Sequence, residues 1–147
     1  MLEKIRFKGF DLEGSSLSIL EDDNSEGGKY SLTFTGHKVI PQKDDDGNWL
    51  FIEVKPCVTG YPRDKKVDEE TKESVEDDDA LFRAEASLSL TFECELEDEV
   101  SEEFYNENSW FFENYVYICT KIVIENMFKN TVLETVTLPW SPRNVKK

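Results

Sequence analysis

The chain has 147 residues, with 17 Lys+Arg against 32 Asp+Glu and a formal net charge of −15. A single domain is expected at this length, with enough chain to bury a core without staples. Charge of this sign argues against nucleic-acid binding, which needs cations to neutralise phosphates, and against an anionic membrane surface; it favours solubility and basic partners.

The first predicted strand is loose. Ile5, Phe7, Phe10, Leu12, Leu17 and Ile19 supply its apolar positions, and Gly9 and Gly14 mark bends or bulges. After the polar stretch "EDDNSEGG" comes "KYSLTFTGHKVI", with Tyr30, Leu32 and Phe34 on one side. "DDDGNW" supplies a turn at Asp46-Gly47. "LFIEVKPCV" then places Leu50, Ile52, Val54 and Val58 on one face. Residues 64–79, "DKKVDEETKESVEDDD", hold almost nothing that could be buried and read as a flexible acidic connection within one domain spanning 1–147.

The fourth strand, "FRAEASLSLTFECEL" at residues 82–96, alternates apolar or small with polar residues without a slip. At about 3.3 Å per residue it would span roughly 50 Å. Alternation this clean marks antiparallel strands with one wet face, so a second layer has to cover the other.

The candidate for that layer runs from Ser101 to Lys129. Ser101 followed by Glu102 and Glu103 is an N-cap signal with acids in the first turn, and "NENS" suggests a break. At about 100° per residue, Phe112, Tyr115, Val116, Cys119, Ile122, Val123 and Met127 form a broad face for the sheet. A second apolar stripe, Trp110, Tyr117, Ile124 and Phe128, lies elsewhere on the helix. A small domain has little left to cover it, which points to a homo-oligomer whose interface is that stripe. The alternative is that the tail "VLETVTLPWSP" folds over it. The expected fold is therefore α+β: a four-stranded antiparallel sheet with one long interrupted helix packed on one face.

The cysteines Cys57, Cys94 and Cys119 are odd in number and far apart, which fits reduced thiols in a reducing compartment. Residues 1–12 mix charges and lack the apolar run of a secretory leader. Trp110 to Phe128 is interrupted by Glu113, Asn114, Lys121, Glu125 and Asn126, so it is not a membrane span. A cytoplasmic protein without direct membrane insertion is expected.

"YICTKIVIENMFKNTVLETVTLPWSP", Tyr117 to Pro142, resembles the main helix, polar turn and crossover segment of the SecB family of bacterial export chaperones. The four strands match that family's sheet in number and order, and "EKIRFKGFDLEGSSLSI" is similar in kind to its first strand. The resemblance implies a tetramer, a dimer of dimers with helices sandwiched between sheets. It also implies an ATP-independent holdase that binds non-native polypeptide clients in long apolar grooves, with the SecA motor as a candidate partner and no cofactor. Departures are clear. The family's Pro-Tyr-Ala-Arg region reads "ENYVYICTK" here, its second helix has no counterpart before Lys147, and the 64–79 connection is long. No SecA-docking residue can be placed, since Asp11 with Glu13 and the stretch "LSILED" align equally well.

If an apolar client groove exists, Trp49, Phe51, Leu138 and Trp140 are the candidates to line it; the alternative is that Trp49 and Trp140 cap the sheet edge. Asp44, Asp46, Gly47 and Glu53 stand at EF-hand-like offsets, but strands flank them and Gln42 sits where an acid is needed, so a charged hairpin tip is expected and no metal site. His37 is the only histidine, and no nucleophile, zinc or nucleotide motif appears. An enzyme is the least expected class. The general holdase stands first, with a dedicated chaperone for one partner, such as an antitoxin, and a structural or regulatory oligomer without clients as alternatives.

Overall fold

The computed structural model describes residues 2–19, 28–62, 81–131 and 133–140. The 64–79 connection lies outside them. A short 3₁₀ turn at Leu2–Lys4 leads into four strands, β1 (Ile5–Ile19), β2 (Gly28–Asp44), β3 (Gly47–Pro62) and β4 (Phe82–Cys94). They form one sheet in the order β1-β4-β3-β2, with every neighbouring pair antiparallel.

The alternation in β4 is realised residue by residue. Phe82, Ala84, Ala86, Leu88, Leu90, Phe92 and Cys94 are buried on the inner face, and the residues between them lie on the outer face. Pairing on both sides carries the register across the sheet: Leu12, Leu88 and Val54 lie in one row, and Phe10, Leu90 and Ile52 in the next. A slip of one residue would turn every one of these side chains into water. The strand ends at Cys94, earlier than its alternation suggests, although the Glu95 N–H still donates to Lys4 O at 2.8 Å.

Both edge strands are bulged. β1 shifts register between Phe7 and Gly9 and again between Leu12 and Gly14, as its glycines suggest, and β2 shifts between Thr35 and Lys38. Bulges at edges bend the strand and interrupt the ladder that would otherwise template a foreign strand. At Gly60, opposite Phe82, a Cβ would run into the Phe82 ring, so the bare backbone is what lets that ring lie across β3. The β2–β3 turn centres on Asp45 and Asp46, one residue earlier than expected. The Asp44 carboxylate accepts from the N–H groups of Asp46 (2.9 Å) and Gly47 (3.1 Å), and Gly47 takes φ 138°. This Asx turn engages the Asp44 carboxylate, and among the described residues no group of three or more acidic, histidine or cysteine side chains could hold a metal.

The second layer is α1 (Glu102–Glu107) and α2 (Ser109–Phe128). Ser101 Oγ accepts from the Phe104 N–H at 3.0 Å, the expected N-cap. The break falls at Asn108, whose side-chain amide donates to Phe104 O at 2.9 Å and closes the first helix. α2 then runs along β4 in the opposite direction: Phe112 stands edge-on to Phe92 at 5.2 Å near its start, and Phe128 edge-on to Phe82 at 5.6 Å at its end. Phe92, fully buried, also meets Phe7, Phe111 and Tyr115. Burial of one such ring stabilises the fold by roughly 1.5–3 kcal/mol from area alone. Among the described residues no helix is long and apolar enough to cross a membrane.

The sheet-facing side of α2 holds Phe112, Val116, Cys119 and Val123 as expected, but Ile122 is a correction: it is half exposed. It follows Tyr115 by seven residues, and Tyr115 leans sideways to stack on Phe7 of β1 at 4.7 Å, so this column lies on the flank of the helix and not beneath it.

Candidate functional site

α2 is apolar on more than one side, and its two flanks meet different fates. The flank towards β2 carries Tyr117, Lys121, Ile124 and Phe128, which recur at helical spacing. Tyr117 meets Phe34 of β2, ring centres 5.1 Å apart. Beyond it the chain turns at Asn130, in the left-handed region at φ 64°, and residues 133–140 return over the helix. Lys121 Nζ donates to Glu125 Oε2 (2.7 Å) and to Leu138 O (2.8 Å), while the Leu138 N–H donates to the same Glu125 oxygen at 2.7 Å. Tyr30 Oη donates to Thr137 O at 3.0 Å, and the Lys121 ammonium sits 4.6 Å from the centre of the Trp140 ring. The Leu138 side chain is in the core.

This closes most of the stripe expected to form the oligomer interface. Ile124 and Phe128 are wholly buried within one protomer, Tyr117 is half-buried, and only Trp110 remains open, 57% exposed. Phe128 meets Phe82 of the sheet, Tyr117 meets Phe34 of β2, and the returning tail bonds Lys121 and Glu125 alongside them.

The flank towards β1 is more open among the described residues. Tyr115, Ile118 and Ile122 follow one another there, with Ile122 50% exposed. On the same side of the sheet, β1 presents Leu12 (47%) and Ile19 (43%), whose partners Leu88 and Phe82 are buried. Cross-strand partners share a face, so these two leucine and isoleucine side chains point to the helix side yet reach beyond the helix. Sequence periodicity marked them only as apolar positions of the first strand, and nothing in it showed how far α2 would cover the sheet.

The four groove candidates do not come together. Leu138 is buried at the helix side and Trp140 is 63% exposed at the end of the same segment. Trp49 and Phe51 are half-buried on the opposite face of the sheet, since Leu50 and Ile52 between them point inward. There Phe51 pairs with the exposed Ile40, and Trp49 lies opposite Gln42 and Glu93, making a small apolar patch within a polar face. Glu93 also meets Lys8 at 3.8 Å, an exposed pair worth little to stability. Farther along this strand set, a concavity of about 420 Å³ is lined by Ser16, Thr35, Lys55, Cys57, Glu85 and Ser87 among others, polar and unlike an apolar groove.

Titratable chemistry is muted. All three cysteines are free thiols; burial pushes Cys94 and Cys119 up to about 11, and burial together with the nearby Glu85 carboxylate raises Cys57. These thiols are poor nucleophiles. Tyr105 is pushed up to about 12, mainly by burial, and its hydroxyl lies 3.3 Å from His37 Nε2.

No protein-family model matches the sequence, and no curated protein matches it. Solved structures do. One is the Mycobacterium tuberculosis Rv1957 SecB-like chaperone in complex with a ChAD peptide from the Rv1956 HigA1 antitoxin, with a TM-score of 0.63 at 15% identity, covering 96% of this chain and 93% of that one. Identity so low carries the architecture and not the residues. The four-stranded antiparallel sheet with its interrupted helix is the fold of a SecB-like chaperone.

Proposed function

We propose that the protein is an ATP-independent holdase that binds non-native polypeptide segments through apolar surface and works as a homo-oligomer. The observation that carries this is the persistence of large apolar side chains at the surface of a chain with a formal net charge of −15: Trp110, Ile122, Leu12 and Ile19. Exposed apolar patches on a soluble chain are expected at interaction sites, and a highly charged surround keeps a loaded complex in solution. The full-length likeness to a SecB-like chaperone supports the same reading. A second copy covering the open flank of α2 would leave the tail side and the outer face for clients. Several weak apolar contacts per protomer then add through avidity.

Light scattering of an unfolding protein at low ionic strength tests this. The holdase suppresses aggregation in proportion to the protomers added; unchanged scattering at every ratio contradicts it. A narrower reading, a chaperone dedicated to one partner, is favoured by the neighbour's complex with an antitoxin peptide. Recovery of a single partner in a pulldown, against a broad set of unfolded chains, separates the two.

A further inference from the structure

We propose that the slot now holding Leu138 is a client-binding site, occupied in the free protein by the chain's own tail, and that it takes an extended segment with a large apolar residue followed two positions later by an aromatic. This rests on the holdase reading and names what one of its sites recognises.

The tail is seated as a bound peptide would be. Every backbone polar group from Thr137 O to Leu138 O is satisfied by a side chain of another element: Tyr30 Oη for Thr137 O, Glu125 for the Leu138 N–H, Lys121 for Leu138 O. Pro139 has no N–H to satisfy, and a residue before proline is held extended, so Leu138 fits the slot without a strand partner. Among the described residues, no backbone-to-backbone hydrogen bond ties residues 133–140 to the sheet or to α2; the one within the segment, Val136 N–H to Leu133 O, is local. Such a clasp reads the main chain of any extended segment. Selectivity comes from two side chains: Leu138, buried in the slot, and Trp140, exposed at its rim with its ring against the Lys121 ammonium.

Lys121 and Glu125 are charged groups on the otherwise apolar β2 flank of α2, and Lys121 is only 9% exposed because the tail covers it. Empty, the slot would present a Lys–Glu pair beside a vacant apolar pocket, a surface suited to an incoming extended chain. The tail thus competes with clients, and the site's apparent affinity is the intrinsic one scaled by the fraction of molecules with the tail displaced.

Hydrogen exchange resolved at the Leu138 amide tests this, with a reduced and carboxymethylated, permanently unfolded protein as client. The amide should be protected in the free protein and should exchange at least about tenfold faster in the complex. A complex that forms while Leu138 stays protected overturns the proposal and leaves the holdase reading standing; no complex at all overturns both. The Trp140→Ala variant, altered only at an exposed ring, gives a second readout. Loss of its contact with Lys121 should tighten client binding roughly two- to fivefold by weakening the competitor. Unchanged or weaker binding contradicts competition by the tail.

Discussion

The two flanks of α2 start from similar chemistry and end differently. Towards β2, Tyr117 meets Phe34, Phe128 meets Phe82, Ile124 is fully buried, and the returning tail bonds Lys121. Towards β1, Ile118 and Ile122 look out over Leu12 and Ile19 with no described segment above them. The difference lies in two charged residues. Lys121 and Glu125, one turn apart, give the tail's backbone a place to bond beside the apolar residues of α2; among the described residues no such clasp forms on the β1 flank. A helix that is apolar on both sides can therefore be finished on one by its own chain and left open to a partner on the other.

Breaking the covered flank should cost most. Ile124→Glu places a carboxylate at a fully buried position without a partner, and we expect it to abolish the folded state or to cost at least about 3 kcal/mol in urea unfolding. Phe128→Ala, on the same flank, removes the ring that meets Phe82 and should cost about 3–5 kcal/mol by the same measurement. Lys121→Ala strips the clasp and leaves Leu138 O without its donor. A loss of about 1–3 kcal/mol is expected in urea unfolding, with faster exchange confined to residues 133–140.

A smaller effect sharpens the comparison through pH. Cys119 on α2 and Cys94 on β4 are held by burial at about 11, above the ordinary thiol value of 9.0. The unfolded state therefore loses these protons first, so stability is full below pH 9 and falls as pH rises through 11. The melting temperature should decline across that window, and Cys119→Ala should flatten the decline; a flat alkaline profile in the parent protein would contradict the burial of these thiols. Smallest of all should be Ile122→Asp. On an open flank it should change protomer stability by no more than about 0.5 kcal/mol, as surface substitutions do.

Much of the fold was legible because its period was. The alternation from Phe82 to Cys94, the bulge glycines Gly9 and Gly14, the Ser101 cap and the break before α2 each rest on local chemistry, and each appears where expected. The candidate site was less legible because it depends on layers meeting. Trp49 and Phe51 share a strand face, but which side of the sheet the tail crosses is a tertiary fact, and it separates them from Leu138 and Trp140. The clasp had a faint signal, a Lys and a Glu at i and i+4 inside an apolar helix, whose significance needed Leu138 to arrive from 17 residues away. Leu12 and Ile19 read only as apolar positions of β1, because periodicity reports which face a side chain takes and not whether anything covers that face.

We expect the β1 flank of α2 to be completed by another molecule of the same chain. Sedimentation equilibrium of the parent protein and of Ile122→Asp measures this directly. The parent should show a mass that is a multiple of 17.1 kDa, and the variant should fall towards a single folded protomer. A parent protein that sediments as one 17.1 kDa chain at every concentration, or an assembly indifferent to the substitution, would contradict it.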